Sequence, residues 1–472
     1  MARPSLGAMD QPEHTVRTGN DPFSPRIAAL VAGLALADLD DEAIRAARIF
    51  LADTLATGIA GTCNPGADGL LAALVAAAPG GHVACLGRRG VALAPYDAAL
   101  VNGFQIHCLE WDGLHEPSVV IALCATMGAL TCEIQQRDVS LGEWLVAFVA
   151  GVETAVFFGS ASASAPRFFR PSAAGVMGAG AAVGKLRGFD ETQMLDLLGL
   201  AYSQAGGTMQ AHWEGSEALA LQVGCASRAA LTAADLVQHR LTGPHDFVSG
   251  KFGYFALFEA PGDLEGTLGT WGRPWKICEV AHKPYPAGRA TQSVITALIA
   301  LRERHGFGAD DVAELRADVP SLIGLLVGRP YRPDMSPSYA RLCLQYVAPL
   351  ILRDGVVDPR KFTSEWFADP QIAALAARVR CHVDDNPNPN ALGPQLVTVT
   401  LRDGTELREH VAVPLGAPGN PLSAAQRIDK IERCFAAAGW DGDAGGFMKA
   451  CETLPLEAPA RAVLAALERK PQ

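Results

Sequence analysis

Residues 98–112 read AALVNGFQIHCLEWD. The small and apolar side chains at the start of this stretch belong to a helical pattern over 94–107. Directly after it come Glu110, Trp111 and Asp112, and His115 and Glu116 follow one turn later. A histidine among carboxylates can be tuned for proton transfer near neutral pH. The segment therefore predicts a body of packed helices with a chemical site at the end of one of them.

Outward from this segment the helical texture holds to about residue 270. Asp40-Asp41-Glu42 opens a helix with acidic residues in its first turn, where the helix dipole favours them. Further helices are predicted near 66–78, 119–133, 141–160, 173–187, 190–205 and 216–240. Gly188-Phe189-Asp190 stops one helix and caps the next. The texture changes near 280. A helix over 290–304 precedes VAELRADV at 312–319, whose alternation predicts a strand. A helix near 338–353 follows, and residues 379–383 read as extended. LVTVTL at 396–401 and the run from Glu406 to Val413 flank Arg402-Asp403-Gly404-Thr405, and an Asp-Gly pair between alternating runs signals a hairpin. The fold class is mainly α with a smaller α+β unit. The expected organisation is a disordered lead-in over 1–25, a helical domain over 26–280, an α+β domain over 281–415 and helices over 416–472.

Composition narrows the function. Of 472 residues, 49% are hydrophobic and only 7% aromatic, and abundant Ala and Gly suit closely packed helices. The net charge is −11 and no long Lys/Arg cluster occurs, so nucleic acid is not an expected partner. Eleven cysteines without a CxxC pattern read as buried small side chains in a reducing compartment. Residues 1–25 lack the apolar core of a secretory signal, and stretches such as Ala173–Val183 are Gly-broken and run into Lys185 and Arg187. The expectation is a cytoplasmic protein with no membrane partner. No GxSxG elbow occurs, so a Ser-His-Asp hydrolase is not expected, and without an HExxH pair or a strand-borne dinucleotide fingerprint neither metal nor dinucleotide is expected.

Several segments, in order, resemble the MmgE/PrpD family. Ala52-Asp53-Thr54 to Gly58 is similar to its early Asp-Thr helix, and Asn102-Gly103 leading into His107 to Asp112 is similar to its "NG…H-x-LDFDD". Gly175 to Gly188 resembles its Gly/Ala-rich helix, and Ser203-Gln204-Ala205-Gly206-Gly207 its "SQASG". Thr242-Gly243-Pro244 with Gly250 to Tyr254, His282-Lys283-Pro284-Tyr285-Pro286 with Arg289, and Asn420-Pro421-Leu422-Ser423 match later motifs. The resemblance covers roughly residues 30–465. It implies an all-helical large domain completed by the C-terminal helices, with the α+β unit inserted as a lid, and a homodimer. The activities it implies are 2-methylcitrate dehydratase, cis-aconitate decarboxylase and iminodisuccinate epimerase, which act on small polycarboxylates without a cofactor.

The chain departs from the family pattern at its chemical positions. The first Asp of "LDFDD" is Glu110 and the last is Gly113, followed by Leu114. The His of "HPS" falls on Val120 or Ile121, and that of "FHPT" on Arg170. The Lys, Arg and His of a further motif fall on Leu219, Ala220 and Gln222, and the His after "KPYP…R" is Gln292. Lys283, Tyr285 and Arg289 persist. The expected function is a lyase or isomerase with a rebuilt site, doing proton chemistry next to a carboxylate or carbonyl. Such chemistry needs a general acid or base and cationic donors for developing charge. Lys283, His115, Glu110, Asp112, His212 and Tyr285 are the expected catalytic groups. Arg289, Arg170, His282, Trp111, Trp213 and Glu214 are expected to bind substrate, the tryptophans implying a bulkier or less charged one. His107 is expected to be structural. The alternative is a non-catalytic binding or scaffold protein that keeps the fold.

Overall fold

The computed structural model describes residues 21–388, 391–468 and 470. Of the lead-in expected over 1–25, residues 1–20 lie outside the described residues. The remainder is not disordered: the first helix, Phe23–Gly33, starts inside it. The Asp21 carboxylate accepts from the Phe23 backbone N–H at 2.9 Å and from those of Val248 and Ser249 at 3.0 Å, tying the helix start to a distant loop.

The helices of the large body form where small residues let them approach. Asp40 accepts from the Ala43 N–H and opens the helix Asp41–Ala60. The helix Pro95–His107 crosses both Ala122–Gln136 and Ala218–Gln238. At that crossing a Cβ on Gly103 would stand 2.4 Å from Ser227 Oγ and 3.0 Å from Gly224 Cα, so no larger residue fits. The helices Leu141–Ser160 and Gly175–Leu186 meet in the same way through Gly151 and Gly178. Leu141–Ser160 is long and apolar enough to cross a bilayer, but 94% of its apolar window is buried against protein. Among the eleven free cysteines seven are buried, while Cys63, Cys278 and Cys381 are half-buried and Cys225 is exposed.

A second core gathers from Ala287 to Val411. Its four-stranded sheet has the order Val379–Val383, Val312–Val319, Gln395–Leu401, Glu406–Val411, with the first pair parallel and the others antiparallel. The hairpin turns at Gly404, φ 89°, as the Asp-Gly pair requires. The helix Gln292–His305 packs on this sheet. The single helix expected near 338–353 is two, Pro337–Arg341 and Leu344–Asp354. The chain then returns: Ala424–Ala438, Ala444–Thr453 and Arg461–Leu467 place Ile431, Phe435, Phe447 and Val463 in the first core.

Two short strands, Leu114–His115 and Val280–Ala281, pair antiparallel at the junction of the two cores. They hold the segment after Pro95–His107 against the segment that enters the second core. The helix expected to begin at 119 begins at Ala122, because Val119 adopts φ 54° and Val120 bridges back to His115.

The approach to this junction is pinned by Glu153, whose carboxylate accepts from the backbone N–H groups of Lys276 and Gly272. Burial pushes its carboxyl from 4.5 up to about 7. A raised carboxyl pKa means the folded state binds the proton more tightly. Its stabilising contribution is complete below pH 4.5 and is lost as pH rises through about 7. The stability of the parent relative to Glu153→Gln should therefore fall as pH rises from 5 to 8, by about 2 kcal/mol in urea titrations.

Candidate active site

The helix Pro95–His107 ends beneath a residue in the left-handed region: Glu110 has φ 54°. Such a conformation costs energy in a non-glycine residue and marks a place where the surroundings fix the side chain. The antiparallel pair Leu114–His115 and Val280–Ala281 then brings Lys283 onto Glu110. Lys283 Nζ donates to Glu110 Oε2 at 2.9 Å and lies 3.5 Å from Asp112 Oδ1. His107 Nδ1 pairs with Asp112 Oδ2 at 2.9 Å, and its Nε2 is 3.4 Å from Glu110 Oε1. All four groups are buried.

The electrostatics follow from that closed ring. Burial alone would lower the Lys283 ammonium, but Glu110 and then Asp112 override it and hold it above its ordinary value. His107 behaves alike, raised by Asp112 and Glu110 against burial. Burial would raise the Glu110 carboxyl, yet Lys283 and His107 hold it below the usual range. Asp112 is lowered against burial by His107 and Lys283. The ring thus keeps both carboxylates charged and Lys283 protonated at neutral pH.

A cavity of about 160 Å³ opens beside the ring, with Glu110, Lys283, His212, Arg170 and Arg289 in its wall. His212 comes from the short helix Gln210–Glu214. Burial, then the Arg329 guanidinium, pushes its imidazole down to about 4, so it is neutral at physiological pH. Arg329 Nη2 lies 3.5 Å from His212 Nδ1. A guanidinium only donates, so Nδ1 accepts and the ring proton stays on Nε2 as a donor.

Other expected site residues lie elsewhere. His115 follows Leu114 in a strand and therefore points the other way, to Ser118 Oγ at 2.8 Å and Glu279 Oε2 at 3.4 Å; only Leu114 lines the cavity. His282 alternates with Lys283 and stacks on Phe50 at 4.3 Å. Trp111 is wholly buried behind the ring, with Arg433 5.6 Å from its ring centre. Tyr285 is carried past Pro284 into a separate groove shared with Arg433. Trp213 is 67% exposed and lines with Glu214 another groove, outside the cavity. Arg170 reaches the cavity wall but is bidentate on Glu259, at 2.7 and 2.5 Å. His107, expected to be structural, is the fourth member of the ring. Its spacing of three to Glu110 and five to Asp112 was the available signal.

His107, Asp112 and Cys124 offer ligand atoms within 4.8 Å of one another. The donor set does not suit a metal. Lys283 already supplies the compensating cation, and burial holds the Cys124 thiol well above its ordinary value while it donates to the Ile121 carbonyl.

Lys283→Met strands two buried carboxylates without their main counter-charge. It should cost about 3–5 kcal/mol of stability, read by urea unfolding. Adding Glu110→Gln should restore part of the loss.

Comparison with known proteins agrees with this architecture. The MmgE/PrpD N-terminal domain model matches residues 25–267 and the MmgE/PrpD C-terminal domain model matches 285–443. The chain is 29% identical over 423 residues to a cis-aconitate decarboxylase of Mus musculus, covering 86% of this chain and 85% of that protein. It is 27% identical over 425 residues to the Homo sapiens protein of the same name, covering 86% of each. It is 24% identical over 417 residues to one from Aspergillus terreus, covering 81% and 83%. With both domain models spanning most of its length in order, the chain belongs to the MmgE/PrpD family.

Proposed function

We propose that this protein is a lyase of dehydratase or decarboxylase type, doing proton chemistry at a carbon next to a carboxylate or carbonyl in the cavity at Glu110 and Lys283. The names of its relatives, cis-aconitate decarboxylases, point to that reaction class. The observation that carries the reading is the buried ring of Lys283, Glu110, Asp112 and His107 with an open cavity on its Glu110–Lys283 side. A cleft filled by Leu219, Leu114, Ile121 and the tryptophans would favour a binding protein; Leu114 and Ile121 line an open cavity, and Leu219, Trp111 and Trp213 are not in its wall.

The groups divide the work by their charge. A carbanion next to a carbonyl develops negative charge on oxygen, and fixed donors aimed at that oxygen lower the barrier. Lys283 supplies the positive charge and His212, neutral, an N–H donor. Glu110 faces the same cavity as a carboxylate and is the group placed to take up or return the proton. His107 and Asp112 hold Glu110 and Lys283 in place from behind. The reading uses only this chain's own residues.

Proton NMR in deuterated buffer tests it, with citrate, cis-aconitate, iminodisuccinate and uncharged carbonyl analogues. Deuterium should appear next to a carboxylate or carbonyl, be lost in Glu110→Gln, and survive in His115→Ala. No exchange or turnover on any compound would return the protein to the non-catalytic reading. His212 should remain neutral until pH falls through about 4, so its ring resonances should not titrate between pH 5 and 8.

A further inference from the structure

We propose that the groove with Trp213 in its wall is a second binding site, for an oxyanion head carried on a planar ring, and that Arg329 passes its occupancy to His212 in the active cavity. The binding stands on the groove alone, while its consequence for His212 rests on the reading of the cavity as the active site.

The groove holds about 480 Å³ and its walls are fixed to each other. Trp213 and Glu214 come from the end of the short helix Gln210–Glu214, and Leu325, Arg329, Arg332 and Tyr339 from the second core. Gly215 lets the two sides meet. It has φ 71°, and a Cβ there would stand 2.4 Å from Tyr339 Cβ. Ser336 Oγ donates to the Gly215 carbonyl and ties the same two segments.

The charge in the groove is unbalanced. Arg329 and Arg332 lie 4.8 and 4.5 Å from the centre of the one Tyr339 ring, and among the described residues no carboxylate forms an ion pair with either. Arg329 Nη1 donates to the His212 carbonyl at 3.2 Å and Nη2 to that of Leu326 at 3.3 Å. Burial, and Arg332 among the charges, pull the Arg329 guanidinium below its ordinary value. The carboxylate acting against them is Glu110, which Lys283 already matches. Glu214 is the acid in the groove wall, and its Oε1 accepts from Gln210 Nε2. Two guanidiniums against one carboxylate leave an excess positive charge that an oxyanion balances, with its oxygens in the guanidinium forks.

The rest of the wall selects the body of the ligand. Trp213 and Leu325 are both largely exposed and both line the groove. A bare indole beside guanidiniums offers a face on which a planar ring stacks. A free oxyanion leaves that face in water, and an uncharged ring leaves the arginines unbalanced. One ligand with the head on the ring satisfies both.

Groove and cavity stand back to back. On the helix Ser321–Val327, Leu325 lines the groove while Leu322 and Leu326 line the cavity. Arg329 lines the groove and its Nη2 reaches Nδ1 of His212, which lines the cavity. Burial and then Arg329 hold the His212 imidazole down at about 4; Glu110 acts against them and His107 with them. Lys283, in the same cavity wall, is matched by Glu110 and Asp112. An oxyanion on Arg329 offsets part of its charge at His212 and so favours the imidazolium.

Isothermal titration calorimetry of the full chain at pH 7 tests the site with phenyl phosphate, and with inorganic phosphate and phenol as its two halves. Phenyl phosphate should bind at least about tenfold more tightly than either half. Arg332→Gln and Trp213→Ala should each weaken it by about tenfold. Both residues are exposed and outside the cavity wall, so neither change disturbs a core or the cavity. Binding that ignores both substitutions places the ligand elsewhere and overturns the proposal, as does no binding, or inorganic phosphate binding as tightly as the ester. In histidine NMR, saturating phenyl phosphate should raise the pKa of His212 by about one unit. An unmoved His212 in the saturated protein overturns the link to the cavity. Deuterium exchange on the acids named above is read separately: its absence removes the enzyme reading and leaves the calorimetric result standing.

Discussion

Lys283 lies 1% exposed between two carboxylates, and the architecture around it is what makes its burial tolerable. A lone buried ammonium would shed its proton, and a lone buried carboxylate would take one up. Here each compensates the other, and His107 closes the ring from the end of its helix. The partners come from segments about 170 residues apart in the chain, 173 for Glu110 and 171 for Asp112. The antiparallel pairing of Leu114–His115 with Val280–Ala281 helps bring them together.

A second buried lysine does comparable work for the C-terminal helices. Lys430 Nζ sits 2.6 Å from Asp53 Oδ1 and donates to the Trp111 carbonyl at 2.9 Å. Asp53 belongs to the Asp-Thr helix, Trp111 to the site segment and Lys430 to a helix near the chain's end. Arg48 adds bonds to the Cys451 and Leu454 carbonyls. The returning helices are thus held by charged groups as well as by apolar packing, and they support the site from behind.

The departures from the family pattern have local explanations. Arg170 is accommodated because Glu259 meets two of its three nitrogens and the Ser118 carbonyl the third, which leaves no free fork for substrate. Gln292, another histidine position, clamps the turn after Lys283 by accepting from the Tyr285 N–H and donating to the Tyr285 and Ala287 carbonyls. Both side chains act as scaffolding in this structure. Leu219 lines a water-sized space behind Glu110 and carries no charge.

The sequence by itself determined the mainly helical class, a Gly- and Ala-rich composition suited to close helix packing, the Asp-Gly hairpin and the choice of Glu110, Asp112 and Lys283, which the fold brings together. Those features rest on local periodicity, side-chain size and short motifs, which survive without knowledge of the fold. Only the tertiary structure decided which face each residue presents. His115 and His282 were singled out for their chemistry, yet strand alternation turns His115 away from Leu114, which faces the site, and His282, past the end of its strand, stacks on Phe50 while Lys283 faces the site. Trp111 is buried behind the ring and Trp213 is in a different groove, so the argument from their bulk falls. His107 was hidden for the same reason: its role depends on where the chain turns after the helix, and that turn depends on Glu110 adopting a backbone conformation that its residue type does not announce.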